Sequence, residues 1–343
     1  MKEQLIKQLT KIIESTKILS PTEFSFAERI LSYPVPPPIN QPNPGSAQPP
    51  LISQLQNCFY QYCYVQPYNG NSPVETGLVT PNADLVEQLS AANETQEYWE
   101  AGWQIKEILP SGQIRAEKGG RSRLLWAGEF FTPQGFGMPP QINGYINVFF
   151  PKESTTIQPG FYYAFSQTFI DQMDDYNIVR FYWNIEEKGA PNLVRSISRN
   201  LNRFQVPYRF KCLNNQLPFN RTDSAVLFLN KRFYRIVAEL LVDIYEEIKD
   251  SLGAETPLFS KQVAPGIGLA EDPNNGESFG MNRCRILAEG IWNGYTKGLQ
   301  TLEARLDKVA GQFGVYGIAL ESPYLNAGAI DQYIIPKFET SQS

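Results

Sequence analysis

Apolar residues recur at helical spacing from the start of the chain. Leu5, Leu9, Ile12 and Ile13 fall on one stripe, which predicts an amphipathic helix over residues 4–19. A second helix is expected over 21–32, with Ser20 as N-cap and Pro21 at its first position. "YPVPPPINQPNPGSAQPP" at 33–50 fits neither helix nor sheet and reads as a Pro-rich loop of polyproline II character. Helical spacing resumes near 51–64 and 84–94. From about residue 102 the period shortens to two around Pro110-Ser111-Gly112, a hairpin signature. "SRLLWA", "GYINVFF", "GFYYAFS" and "NIVRFYWNI" continue as strands rich in aromatic and β-branched residues. A helix at 191–204, strands at 206–213 and 224–229, and helices at 232–250, 281–298 and 302–313 complete the pattern. The order predicts an α+β fold, in which a helical part packs on a mixed, mainly antiparallel sheet with flanking helices. The division expected is a helical N-terminal region at 1–100 and an α+β domain at 101–343.

Composition narrows the function. Apolar residues make up 42% of the 343, enough to build a core. The net charge of −5 argues against a general nucleic-acid binder, so any anion site must be local. No signal-type apolar segment and no run of 18 apolar residues is present, so neither secretion nor a membrane span is expected and the chain is placed in the cytoplasm. Cys58, Cys63, Cys212 and Cys284 form no CxxC pair and read as buried free thiols. There is no histidine. That excludes histidine-ligated metals, Ser-His-Asp and Cys-His nucleophiles, and the usual neutral-pH acid/base. Lys, Arg, Tyr, Asp or Glu must carry any proton transfer.

Several residues stand out. Arg195, Arg199 and Arg203 form a ridge on helix 191–204, either a solvated face or an anion site. Arg180, Tyr182 and Asn184 share one face of their strand, opposite Phe181 and Trp183. Lys211 alternates with Phe210 and Cys212 in the same way. The stretch "APGIGLAEDPNNGESFGMNRCR" (264–285), with Lys261 just before it, runs into a helix. Its Gly266 and Gly268 do not complete a nucleotide-binding glycine motif. Ser278 is a candidate cap, and Asn282 and Arg283 sit in the first turn, where free N–H groups favour an anion such as phosphate. Glu271 and Asp272 read as loop structure or as contacts to a peptide amide.

"PLFSKQVAPGIGLAEDPNNGESFGMNRCRILAEGI", "VRFYWN", "ISRNLNRFQVPYRFKCL", "NRTDSAVLFLNK" and "PYLN" together resemble the HopA-type effector family, in its cyanobacterial form, over roughly 160–330. The resemblance implies a phosphoserine/phosphothreonine lyase that works beside a phosphotransferase-like kinase on a precursor peptide, as in class V lanthipeptide or thioamitide pathways. It implies no metal and no cofactor. Lys211 or Lys261 is then the base. Arg180, Arg199, Arg283, Asn282 and Ser278 bind the phosphate. Asn184, Arg221, Tyr324 and Asn326 contact substrate, and Asp223 orients a lysine. Some relatives carry histidine where this chain has Asn282, so the acid passes to Tyr182, Tyr324 or the second lysine. The alternative within the same family is a non-catalytic protein that binds a phosphopeptide, a leader peptide or a partner.

Overall fold

The computed structural model describes residues 2–31, 49–70, 82–133, 138–170, 174, 176–215 and 219–338. The Pro-rich loop expected at 33–50 lies outside them up to residue 48.

The first helix, α1 (Lys2–Ser15), is shorter than the expected 4–19. It ends where the Thr16 hydroxyl donates back to the Ile12 carbonyl at 2.7 Å. The helix expected at 21–32 is instead strand. β1 (Thr16–Ser20), β2 (Glu23–Phe26) and β3 (Arg29–Leu31) form an antiparallel sheet. Phe26 pairs with Arg29 across a two-residue turn, Ala27 and Glu28, whose φ angles of 50° and 65° suit the twist of a tight hairpin. Phe24 and Phe26 are fully buried, so a period of two around the apolar positions outweighs the helix-start signal of Ser20-Pro21.

α2 (Pro50–Phe59) begins with proline at its first position and runs into a π-helical turn, Tyr60–Tyr64. α3 (Ala83–Ala92) is capped by the Asn82 side chain. β4 (Tyr98–Ile108), β5 (Ile114–Lys118), β6 (Arg121–Leu125), β7 (Phe130–Phe131) and β8 (Tyr145–Phe150) build a five-stranded antiparallel sheet, ordered β6-β5-β4-β8-β7. β9 (Glu153–Ser154), β10 (Phe161–Phe165), β11 (Ile178–Trp183), β12 (Arg209–Leu213), β13 (Ala225–Asn230), β14 (Lys261–Ala264) and β15 (Ile267–Glu271) build the central sheet, ordered β14-β15-β11-β13-β12-β10-β9 and antiparallel at every pairing. α4 (Ala190–Arg203), α5 (Tyr234–Ile248), α6 (Phe279–Thr296) and α7 (Leu302–Val315) flank it. The fold is α+β.

Register sorts the central sheet into two faces. Phe181 and Trp183 lie on one, with Leu227 and Phe210 level with Phe181 across the strands. α5 covers this face, and Tyr234 stacks on Phe181 at 6.0 Å. The other face carries Tyr182, Val226 and Lys211 in one row, and Arg180, Phe228 and Arg209 in the next. Tyr64 of the π-turn and Phe279 of α6 close on Tyr182 at 6.5 and 6.3 Å. One buried cluster runs from Leu5 through both faces of this sheet to Tyr333, and a second lies under the five-stranded sheet around Trp103, Ile105 and Val148. The four thiols are all buried. Among the described residues no helix is long and apolar enough to cross a membrane.

Candidate functional site

The cover over the second face stops partway. Tyr182 is buried beneath it, but Arg180, Phe228, Lys211 and Tyr163 remain partly exposed and Arg209 is open to solvent. Lys211 is the centre of this margin. Its ammonium lies 4.2 Å from the Phe161 ring centre and 5.9 Å from that of Phe228, and it donates to the Gln158 side-chain oxygen at 3.1 Å. It makes no ion pair with a described residue. Burial lowers its pKa to about 8, helped by the Arg180 and Arg221 guanidiniums and opposed by Asp223.

Two arginines flank the lysine, each steadied by a carboxylate. Arg221 donates to both Asp223 oxygens, at 2.8 and 3.0 Å, a bidentate pair. Its second terminal nitrogen also reaches the Tyr60 hydroxyl at 3.3 Å. Arg180 donates to Asp272 through Nε at 2.8 Å and through Nη2, and its guanidinium lies over Phe228 at 5.1 Å. Asp272 is thus both part of the loop after β15, where it accepts from the Asn274 N–H at 2.9 Å, and a counter-ion at the site. Its neighbour Glu271 is buried, paired with Lys231 at 2.6 Å and accepting from the Asn326 N–H at 2.9 Å.

Tyrosines fill the space between these charges. Tyr60 stacks on Tyr64 at 5.3 Å, both on the π-helical turn. The extra residue of such a turn shifts the facing of the side chains that follow, and this is how both rings face the sheet. The Tyr182 hydroxyl approaches Tyr64 and Arg180 but closes no hydrogen bond of ordinary geometry. Burial raises the pKa of Tyr60, Tyr64 and Tyr182, so all three are protonated at neutral pH.

The structure therefore brings together Lys211, Tyr182, Arg180, Arg221 and Asp223 among the residues singled out in the sequence. It adds Tyr60, Tyr64, Gln158, Phe228, Arg209 and Asp272, which sequence reasoning did not assign to the site. Only the run of tyrosines in "YQYCY" hinted at the first two.

The others lie elsewhere. Lys261 is level with Leu269 and Phe181, on the opposite face of the sheet from Lys211. It is tied to Asp331 at 2.8 Å and to the Tyr333 carbonyl at 2.9 Å. Tyr324 joins the same knot, donating to Asp331 at 2.6 Å. Arg199, on the helical layer over that opposite face, pairs with Glu247. Asn184 holds the following loop, donating to the Glu255 carbonyl at 3.1 Å. Asn326 donates to the Asp272 carbonyl at 2.6 Å.

The helix start in 264–285 already holds an anion, and it is the chain's own. Ser278 caps α6 by accepting from Met281 N–H at 3.3 Å. Glu277 accepts from Asn282 at 2.8 Å and from Arg285 at 2.9 and 3.0 Å, and Arg285 foremost holds its carboxyl down at about 2. Arg283 is buried and spends its donors on the Pro323 and Leu325 carbonyls and the Asn282 oxygen. It clamps the C-terminal tail, and burial lowers its pKa to about 10. The glycine pair serves the hairpin. Gly266 has φ +72°, and a Cβ there would sit 2.2 Å from the Gly253 carbonyl oxygen. Among the described residues, no three His, Cys, Asp or Glu side chains cluster as metal ligands would.

No curated protein matches the chain. Two solved structures are similar to it. The effector protein from Pseudomonas syringae pv. tomato strain DC3000 is 14% identical with a TM-score of 0.46, over 82% of this chain and 92% of that one. The effector protein from Pseudomonas syringae pv. syringae strain 61 is 15% identical with a TM-score of 0.41, over 74% of this chain and 86% of that one. The HopA1 effector protein family matches over residues 152–325, a little more than half of the chain and the whole of the Lys211 face from Gln158 to Asp272. The chain belongs to the HopA1 effector protein family.

Proposed function

We propose that the protein is a phosphoserine/phosphothreonine lyase acting on a phosphorylated precursor peptide, in the cytoplasm and beside the kinase that makes its substrate. The observation that supports this best is Lys211. It is a half-buried lysine with no carboxylate partner among the described residues, lowered to about 8 and flanked by Arg180 and by Arg221, which bonds the Tyr60 hydroxyl.

β-Elimination asks for those groups. The neutral Lys211 amine takes the α-proton. The electron pair forms the Cα–Cβ double bond, the Cβ–O bond breaks, and phosphate departs with the bonding electrons. Arg180 and Arg221 offset its charge, a contribution of about 3–4 kcal/mol per well-placed donor. Tyr60, bonded to Arg221, holds a proton available to the leaving oxygen. The second pKa of a phosphomonoester is about 6, so the leaving group needs only a weak acid.

A second reading is a phosphopeptide-binding protein without turnover. It is favoured by the carboxylates already on both arginines, Asp272 on Arg180 and Asp223 on Arg221, which a phosphate must displace or share. One experiment separates the two. A phosphothreonine peptide is incubated with the protein and EDTA and followed by mass spectrometry for loss of phosphoric acid and gain of added thiol. Elimination that disappears in Lys211→Ala, with peptide binding kept, supports the lyase. Saturable binding with no elimination by the unaltered protein leaves the binding reading alone.

A further inference from the structure

Two of the contacts that hold the Lys211 ammonium come from one turn. Gln158, Pro159, Gly160 and Phe161 lead into β10, and the Phe161 N–H donates to the Gln158 carbonyl at 3.2 Å. Pro159 supplies the fixed φ of the second position. Gly160, at φ +84°, supplies the positive φ of the third, so the four residues make a type II turn. The turn is pinned just past the end of β12. The Gly160 carbonyl accepts there from the Asn214 N–H at 3.1 Å and from the Asn215 side chain at 3.3 Å. The first residue of the turn offers Lys211 an amide oxygen at 3.1 Å, and the last offers a ring at 4.2 Å.

The amide oxygen is itself held. It accepts from the Tyr163 hydroxyl at 3.0 Å as well as from Lys211. An ammonium can only donate, so the oxygen of the amide faces it and not the nitrogen. A tetrahedral nitrogen bonded to Cε has three other directions. Gln158 takes one, and the Phe161 ring lies beside another. The third has no hydrogen-bond partner among the described residues. When the amine loses a proton, the N–H bonds that have partners are the ones worth keeping, which leaves the lone pair in the third direction. The other groups around the amine do not take over this contact. Arg180, Arg221 and Asp223 act on it through space, and Arg209 lies on the same face one row away. The Tyr163 and Tyr182 hydroxyls are raised by burial and stay protonated.

We infer that Gln158 is a positioning residue for the base: by accepting one N–H of Lys211 it fixes where the lone pair of the amine points, and so aims it at the α-proton of the phosphorylated residue. The inference rests on the lyase reading of the Lys211 face. No bond is made or broken at Gln158, which acts through Lys211.

Two substitutions test this. Gln158→Glu keeps the shape and the acceptor and adds a charge. Gln158→Leu keeps the bulk and removes the acceptor. Both stand at a half-buried turn position that the core does not depend on. One readout is the pH profile of kcat on a phosphothreonine peptide. The other needs no turnover: titration of the Lys211 Cε resonance in 13C-lysine-labelled protein, assigned by its loss in Lys211→Met. Without an acceptor for the ammonium, Gln158→Leu titrates at lower pH and leaves more of the amine neutral at pH 7. If the contact only tuned charge, kcat at pH 7 would rise. The expected result is the opposite. kcat falls about 10- to 100-fold with KM little changed, and stays down on the plateau at high pH, where the amine is neutral in every variant. Gln158→Glu moves the titration up by about 1 pH unit or more, so its kcat is low at pH 7, but its plateau returns to that of the unaltered protein. A full plateau in Gln158→Leu overturns the inference and leaves the lyase standing. So does a titration that neither substitution moves, and so does a plateau lost equally in both variants. No elimination by the unaltered protein is the failure of the lyase reading, and takes this role of Gln158 with it whatever the titrations show.

Discussion

Lys211→Met should cost the protein its activity and make it more stable. The side chain keeps its apolar stem and loses a charge that the fold holds at a disadvantage. The folded pKa is about 8 against 10.5 for a free lysine. At about 1.4 kcal/mol per pH unit, the buried ammonium costs the folded state about 3 kcal/mol at pH 7. The sign follows from proton counting. Between 8 and 10.5 the unfolded chain binds the proton that the folded chain has lost, so the unaltered protein gains stability as pH rises through that window. By pH 10 the remaining cost is under about 1 kcal/mol. The contact of the cation with Phe161, worth about 1 kcal/mol, holds only while the lysine is charged and is part of the balance that sets that pKa. The assay is equilibrium urea unfolding of both proteins at pH 7 and pH 10, because the difference between the pH values cancels the packing change. The expected result is a Lys211→Met advantage about 2 kcal/mol larger at pH 7 than at pH 10. A gap that does not change with pH would refute the lowered pKa, and with it the argument that about a tenth of the lysine is neutral and ready as base at pH 7.

Three further outcomes follow from the same contacts. Tyr60→Phe removes the hydroxyl bonded to Arg221, and kcat for elimination should fall about 100-fold with KM nearly unchanged; an unaltered kcat rules Tyr60 out as the acid. Asp272→Asn strips Arg180 of its counter-charge, lowering stability by about 2 kcal/mol, and inorganic phosphate should then raise the urea midpoint more than in the unaltered protein; no phosphate response removes Arg180 from the anion site. Glu277→Gln should cost about 1 kcal/mol at pH 7 after solvent screening; because Arg285 holds the carboxyl near 2, the gap in urea midpoint should persist at pH 5 and narrow as pH falls below about 4.5 toward 2, and a gap that widens in acid contradicts that ion pair.

The elements with long apolar periods were legible. Helices α4 to α7 and strands β10 to β13 fall within a few residues of their expected positions, because their apolar spacing or apolar runs stand out in the sequence. The N-terminal hairpin was not, since Ala27-Glu28 adopts a turn usually marked by Asn-Gly, and Ser20-Pro21 imitates a helix start. The π-turn left no periodic trace. Five residues are too few to shift a hydrophobic pattern, yet those five place Tyr60 against Arg221.

The site was half legible, and the missing half was pairing. Alternation put Arg180 and Tyr182 on one face, and likewise Lys211 in its own strand. Nothing in the sequence relates the parity of Lys211 to that of Lys261, fifty residues later, because strand register and the irregularity after Gln262 decide it. Two lysines that looked alike thus fall on opposite faces. Lys261 meets Asp331, while Lys211 meets aromatic rings and an amide. The difference between a structural lysine and a candidate base lies in which one is left without a carboxylate among the described residues. The same holds for the arginines. Arg283, Arg199 and Arg285 are each spent within the chain, Arg180 and Arg221 keep an aspartate beside the margin, and Arg123 has neither hydrogen bond nor ion pair with a described residue. In a chain without histidine, function has to be sought where cations remain incompletely neutralised, and that is settled by the fold rather than by the count of charges.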